Sequence, residues 1–203
     1  MTRRRLFKFL PGVAIVVLLV AAPLVYGNLR EYHLRNFRVV QDGVLYRSSQ
    51  LSPPGLDRVI HDYGIRTVVS FRYGEPAGTP PPDLWEENFC RKLGIDYVRI
   101  AMVGTDVWTE PAGGGPPPAM TALNQFQDVM ADAKRYPVLA HCFRGAHRTG
   151  VHCALFRMEQ QGWSNADAIA ELKALGYANL EKETDVLGFM TNYRAKRSPG
   201  VGR

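Results

Sequence analysis

The run from Val138 to Gln161 constrains the fold more than any other stretch. Val138-Leu139-Ala140 is short, apolar and strand-like, and Val151 to Gln161 is amphipathic and helical. Between them lies His141-Cys142-Phe143-Arg144-Gly145-Ala146-His147-Arg148-Thr149-Gly150. A strand that passes through a tight loop into a helix points successive backbone N–H groups at one spot, at the positive end of the helix dipole. Such a cradle suits an anion, phosphate best of all. Cys142 opens it and Arg148 closes it, with five residues between them. Amides and a guanidinium at that mouth stabilise a thiolate, so Cys142 is the expected nucleophile, with a bound oxyanion in front of it.

The rest of the chain supplies a scaffold for such a loop. Phe37 to Val40 and Val44 to Arg47 read as short strands around the hairpin signal Asp42-Gly43. Ser52-Pro53-Pro54 opens a helix with Leu56, Val59, Ile60 and Tyr63 on one face, and Gly64 stops it. Thr67 to Phe71 is a buried strand. Asp83 to Leu93 is a helix with Trp85, Phe89 and Leu93 four apart, and Tyr97 to Ile100 is the next strand. A loop rich in glycine and proline, 103–118, leads to a helix over Ala119 to Arg135, then to the strand Val138 to His141. Ser164-Asn165 caps a helix to Leu175, and a last helix runs from about Glu181 to Lys196. Strands alternating with helices imply an α/β fold: a mainly parallel sheet of four to five strands with helices on both faces. Ligands on such sheets bind beyond the carboxyl ends of the strands, where the cradle and the 103–118 loop both lie.

A chain of 203 residues, 46% apolar and 22% charged, holds one catalytic domain plus a small appendage. Four of its positive charges, Arg3, Arg4, Arg5 and Lys8, sit in a leader, so the net charge of +6 leaves the domain only mildly basic. No nucleic-acid partner is expected, and no nucleic-acid-binding motif occurs. Cys90, Cys142 and Cys153 have neither CxxC spacing nor a metal-like cluster with histidine, so no metal and no cofactor are expected. Cys90 and Cys153 fall in amphipathic helices and read as buried packing residues. Leu10 to Tyr26 is uncharged and almost wholly apolar, at the short end of the roughly 17–25 residues that span a bilayer. Residues 1–28 read as a signal anchor or a signal peptide. The anchor is preferred because Val20-Ala21-Ala22 runs straight into Pro23, a poor cleavage site. Four Lys/Arg before the run and three after it (Arg30, Arg35, Arg38) place the catalytic domain on the non-cytoplasmic side of the membrane. Residues 29–37 then form a linker, 38–196 the catalytic domain and 197–203 a disordered tail.

Cys142 and Arg148-Thr149 match the Cys-x5-Arg-Ser/Thr signature of cysteine-based protein tyrosine phosphatases, and the chain resembles their small dual-specificity branch. It is most similar to the atypical dual-specificity phosphatases of plants and fungi and their bacterial relatives. Their loop resembles His-Cys-x-Arg-Gly-x-His-Arg-Thr-Gly, here residues 141–150 with Phe143 and Ala146 in the variable places. Leu45-Tyr46-Arg47-Ser48 resembles the opening strand of that family, and the likeness covers roughly residues 38–194. It implies a phosphatase that works through a phosphocysteine. Cys142 attacks phosphorus in line. Arg148 grips two phosphate oxygens with its planar fork, which lysine cannot copy. Thr149 donates a hydrogen bond to the sulfur and eases its departure. The segment Phe143, Arg144, Gly145, Ala146, His147 and Arg148 binds the phosphate, with Gly145 letting the backbone close on it. His141 packs behind the loop and orders Cys142.

The leaving oxygen needs a proton. The resembled enzymes carry an aspartate on a mobile loop, which here offers Asp106; Glu110, whose distance from Cys142 is closer to the usual spacing, is its rival. Arg144 and His147 add positive charge at the rim and suit multiply phosphorylated ligands. The expected substrates are a phosphorylated protein, an inositol phosphate or a phosphoinositide, hydrolysed at phosphotyrosine, phosphoserine or inositol-type phosphates. Two other readings compete: a non-catalytic phosphate-ligand binding module at the membrane, and a sulfur-transfer or arsenate-reducing enzyme.

Overall fold

Asp42-Gly43 turns the chain between β1 (Arg38–Gln41) and β2 (Leu45–Ser49), which pair antiparallel. The Tyr46 hydroxyl donates to Asp42 Oδ1 at 2.6 Å and accepts the Gly43 N–H at 2.8 Å, so the turn is tied to the strand it feeds. The structure, a computed structural model, describes residues 15–27, 33–72, 79–101, 107–110 and 112–196. After the hairpin, Ser52 Oγ accepts the Gly55 N–H at 3.3 Å and starts α1 (Pro53–Tyr63), with proline in its first turn. Gly64 ends α1 at φ 61°, the left-handed conformation that closes a helix. There follow β3 (Thr67–Ser70), α2 (Leu84–Lys92), β4 (Asp96–Arg99), α3 (Pro118–Ala131), β5 (Val138–Cys142), α4 (Arg148–Gln161), α5 (Asn165–Ala174) and α6 (Thr184–Asn192).

The five strands lie in the order β1-β2-β5-β3-β4, and every pairing except β1 with β2 is parallel. Successive side chains alternate across the sheet. Tyr46, Val68 and Leu139 face one layer, packed with Leu56, Val59 and Ile60 of α1 and Cys90 of α2. Leu45, Val69, Val138 and Ala140 face the other, packed with Phe126 and Met130 of α3 and Cys153 and Phe156 of α4. Beyond that layer, Val151, Leu155 and Met158 of α4 carry α5 and α6 through Leu172, Val186 and Met190. The register sets Ser49 beside Cys142 and Ser70 beside His141, so the carboxyl ends of β2, β5 and β3 converge where the loop 143–147 begins.

Several elements differ from the sequence expectation. The helix expected over Ala119 to Arg135 stops at Ala131, where Asp132 turns extended and its side chain accepts the Lys134 N–H to start a separate 3-10 turn (Ala133–Arg135). The last helix is Thr184–Asn192, preceded by a 3-10 turn at Leu180–Lys182. On α2 the buried side chains are Glu86 and Cys90, one residue on from the expected stripe; Trp85 and Leu93 are exposed. On that face Glu86 Oε1 lies 3.3 Å from His141 Nε2 behind the catalytic loop, and neither atom has a hydrogen-bond partner among the described residues. The helix after the loop begins at Arg148, inside the motif, rather than at Val151.

Of the expected anchor 1–28, residues 15–27 are helical and carry exposed apolar side chains, Leu18 and Leu19 among them; residues 1–14 lie outside the described residues. Among the described residues no helix is long and apolar enough to cross a membrane. The tail 197–203 also lies outside them.

Candidate active site

Cys142 is the last residue of β5 and is 4% exposed. Its sulfur accepts the Gly145 N–H at 3.2 Å. Three consecutive carbonyls of the loop are held from behind. Phe143 O accepts the Gln50 N–H at 3.3 Å, Arg144 O accepts Asn36 Nδ2 at 2.8 Å, and Gly145 O accepts Arg47 Nη2 at 2.6 Å. A trans peptide is planar, with N–H opposite C=O, so tying the carbonyls back turns the N–H groups of residues 144–146 forward. Gly145, at φ 69°, makes that reversal possible. A Cβ there would lie 2.5 Å from Ser48 O and from Ser49 N, inside the backbone of β2. The cradle is thus built against the end of β2, and α4 points its N-terminus into it.

Arg148 stands in the first turn of α4, half-buried, and its Nη1 donates to Phe71 O at 3.0 Å just beyond β3. That carbonyl steers the guanidinium. His152 Nδ1 lies 2.8 Å from Arg148 O, and its ring stacks on Phe71 at 3.9 Å between centroids. Burial pushes the His152 imidazole down to about 4, so it is a neutral packing ring. Thr149 Oγ1 is buried without a hydrogen-bond partner among the described residues. The expected bond from Thr149 to the sulfur is therefore not made in this state; the Gly145 amide takes that place.

At the rim, Phe143 is 57% exposed, with the Arg72 guanidinium 5.0 Å above its ring. Arg144 is exposed and Ala146 buried. His147 does not extend the positive rim as expected. Its ring stacks on Tyr177 at 4.3 Å, and burial holds its imidazole below the usual range, against the pull of Glu183 and helped by Arg144 and Arg148. A polar cleft of ≈ 530 Å³ flanks the loop, lined by Arg35, Asn36, Arg38, Ser49 and Arg144 among others.

Behind the nucleophile lies a buried polar network. His141 Nε2 is 3.3 Å from Glu86 Oε1. Burial, with Asp83 adding repulsion, pushes the Glu86 carboxyl up to about 8, and burial pushes the His141 imidazole down to about 4. Asp83, just before α2, accepts from Ser70 Oγ at 2.6 Å, Tyr97 Oη at 2.6 Å and Arg99 Nη2 at 3.0 Å. Burial alone would raise its carboxyl; the Ser70, Tyr97 and Arg99 hydrogen bonds outweigh that and hold it below the usual range. His141 lies behind the loop, as its place in the motif suggests, while Glu86, Asp83, Asn36, Gln50 and Arg47 join the site without any expectation from the sequence. The one signal in the sequence was the arginine that ends the strand-like Val44 to Arg47 run.

Of the two candidate acids, Asp106 lies outside the described residues, and Glu110 is exposed. Among the described residues no cluster of His, Cys, Asp and Glu could hold a metal ion.

The model of the tyrosine phosphatase family matches residues 33–198, which takes in the whole sheet and the loop. This chain belongs to the tyrosine phosphatase family. Among curated relatives, inositol diphosphatase DSP3 of Arabidopsis thaliana is 26% identical over 136 residues, 67% of this chain and 60% of its own length. The tyrosine-protein phosphatase-like protein OCA2 of Saccharomyces cerevisiae is 39% identical over 133 residues, 66% of this chain and 60% of its own. The chain thus spans about 60% of the length of these two relatives. The core catalytic domain of the PP-IP phosphatase SIW14 from S. cerevisiae shares the fold: TM-score 0.61, 22% identity, covering 80% of this chain and 87% of that one.

Proposed function

We propose that this chain is a phosphatase of the dual-specificity type that hydrolyses phosphate esters through a phosphocysteine. One observation carries the reading: the loop carbonyls are tied back onto β2 and the segment before it, and a loop amide meets the Cys142 sulfur at 3.2 Å. In the first step the Cys142 thiolate attacks phosphorus. The P–O bond to the leaving group breaks, and that oxygen takes its proton from an acid on the 103–118 segment, Asp106 or Glu110. Loop amides and the Arg148 fork hold the equatorial oxygens as charge shifts. Water then attacks phosphorus and gives its proton to the carboxylate left by that acid; the P–S bond breaks, the Cys142 thiolate returns and inorganic phosphate leaves. Thr149 Oγ1, buried and unbonded, is available to donate to the departing sulfur.

The proposed substrate carries more than one phosphate. Arg35, Arg38 and Arg144 line the cleft that flanks the loop, and Arg72 lies over Phe143, so the loop has several cations close to it. Relatives named as an inositol diphosphatase and a PP-IP phosphatase support an inositol phosphate of that kind; a phosphoprotein or a phosphoinositide is the competing substrate. Phosphate release from the full chain, screened over an inositol pyrophosphate, a phosphoinositide and phosphotyrosine and phosphoserine peptides, tests this. The reading expects the first to give the highest kcat/KM, and Cys142→Ser to release none from any.

The apolar side chains exposed on helix 15–27 support an anchoring role for residues 1–28; the Lys/Arg balance around that run favours the non-cytoplasmic side for the catalytic domain 38–196. Alkaline carbonate extraction of cell membranes tests the anchor, and a reporter fused at the C-terminus tests the side. A full chain found in the supernatant overturns the anchoring.

A further inference from the structure

Arg47 is a buried cation that the reaction scheme above does not use. It sits in the middle of β2 and is 3% exposed. Burying a guanidinium is costly unless an anion accompanies it. Among the described residues no carboxylate pairs with Arg47; its hydrogen bond goes to the neutral carbonyl of Gly145 at 2.6 Å. Its surroundings add to the cost. A Cβ on Gly150 would come within 3.4 Å of Arg47 Nη2, so the guanidinium lies against the first turn of α4, at the positive end of that helix. Two positive features thus face each other with no counter-charge between them.

What offsets both is an anion in the loop. Arg47 grips the oxygen of the Gly145–Ala146 peptide from behind. Planarity sends the Ala146 N–H the opposite way, toward the side where the Gly145 N–H meets the Cys142 sulfur. A cation on the oxygen of an amide also polarises its N–H, and hydrogen bonds in series strengthen one another. We infer that Arg47 is a positioning residue: its guanidinium, acting through the Gly145 carbonyl, aims and polarises the Ala146 amide at the bound phosphate, and its charge is balanced by that phosphate. Asn36 holds the Arg144 carbonyl in the same way but without charge. This inference rests on the phosphatase reading of the loop.

The test is inorganic phosphate binding to the full chain by titration calorimetry, beside kcat and KM on p-nitrophenyl phosphate. Arg47→Met keeps much of the volume and removes charge and fork; Arg47→Lys keeps the charge alone. Phosphate binds about tenfold or more weakly to Arg47→Met, the loss of one charge-assisted hydrogen bond, with Arg47→Lys between that variant and the wild type. The rise in unfolding temperature that phosphate gives the wild type shrinks in the same order, which a packing role alone does not produce. Phosphate affinity in a folded Arg47→Met protein within about threefold of the wild type overturns the inference. Should Arg47→Met not fold, Arg47→Gln, which keeps a hydrogen-bond donor but no charge, decides by the same threshold. A wild type that neither binds phosphate nor turns over fails the phosphatase reading instead, so the two failures are distinct.

Discussion

His141 Nε2 stands 3.3 Å from Glu86 Oε1, and each side chain is only 1% exposed. Burial pushes the Glu86 carboxyl up to about 8 and the His141 imidazole down to about 4, so between those values the pair holds one proton. Where that proton rests does not alter the count. Unfolded, the two groups titrate at their ordinary values of 4.5 and 6.5. Between 4.5 and 6.5 both states then hold one proton, and the pair contributes no slope. Between 6.5 and 8 the folded chain holds one proton more than the unfolded, so stability falls as pH rises through that window. The loss amounts to about 2 kcal/mol. Unfolding midpoints in urea from pH 6 to 8.5 should show it, and Glu86→Gln should remove the slope above pH 6.5. A wild type and variant with parallel profiles would contradict the assignment.

Gly145→Ala tests how closely the loop is built onto β2. A Cβ there meets Ser48 O and Ser49 N at 2.5 Å, both rigid backbone, and φ 69° is costly for alanine. Strain of that kind amounts to roughly 1–3 kcal/mol before the clash is counted. The variant should lose activity on p-nitrophenyl phosphate by about 10²-fold or more, as when a donor to the reacting oxyanion is lost. A folded variant with wild-type kcat would show that the amides need not converge.

Arg148→Lys separates charge from geometry. Phe71 O fixes one arm of the guanidinium at 3.0 Å, and lysine offers neither that bond nor a planar fork. Steady-state kinetics should show kcat lower by roughly 10²–10³. A fall of less than tenfold would mean that positive charge alone suffices.

The other two thiols should be inert. Burial pushes Cys90 up to about 12, with Glu86 adding to it, and burial pushes Cys153 up to about 11. Iodoacetamide at pH 8, followed by peptide mass spectrometry, should label neither in the folded chain and both after unfolding. Native labelling of Cys153 would show that the space behind the loop opens.

Much of this was legible in the sequence because the signals were local. The hairpin at Asp42-Gly43, the Ser52 cap and the strand–loop–helix around Cys142 each rest on neighbours a few residues apart, and each formed. What was not legible depends on distant partners. Arg47 meets Gly145 across 98 residues, and Asn36 meets Arg144 across 108. Nothing near Glu86 in the chain announces His141, which lies 55 residues away. Of the expected apolar stripe on α2 only Phe89 packs against the core; Trp85 and Leu93 are exposed, and the buried positions are Glu86 and Cys90. His147 looked like rim charge because Tyr177, the ring that covers it, lies two elements away.

The most direct measurement is to look for the phosphocysteine itself. The full chain is mixed with p-nitrophenyl phosphate, quenched in acid during turnover, digested and analysed by mass spectrometry. One phosphoryl group is expected on the peptide holding Cys142, absent from Cys142→Ser, which also releases no phosphate. Turnover with no phosphoryl group on that peptide, or equal turnover by Cys142→Ser, would contradict it.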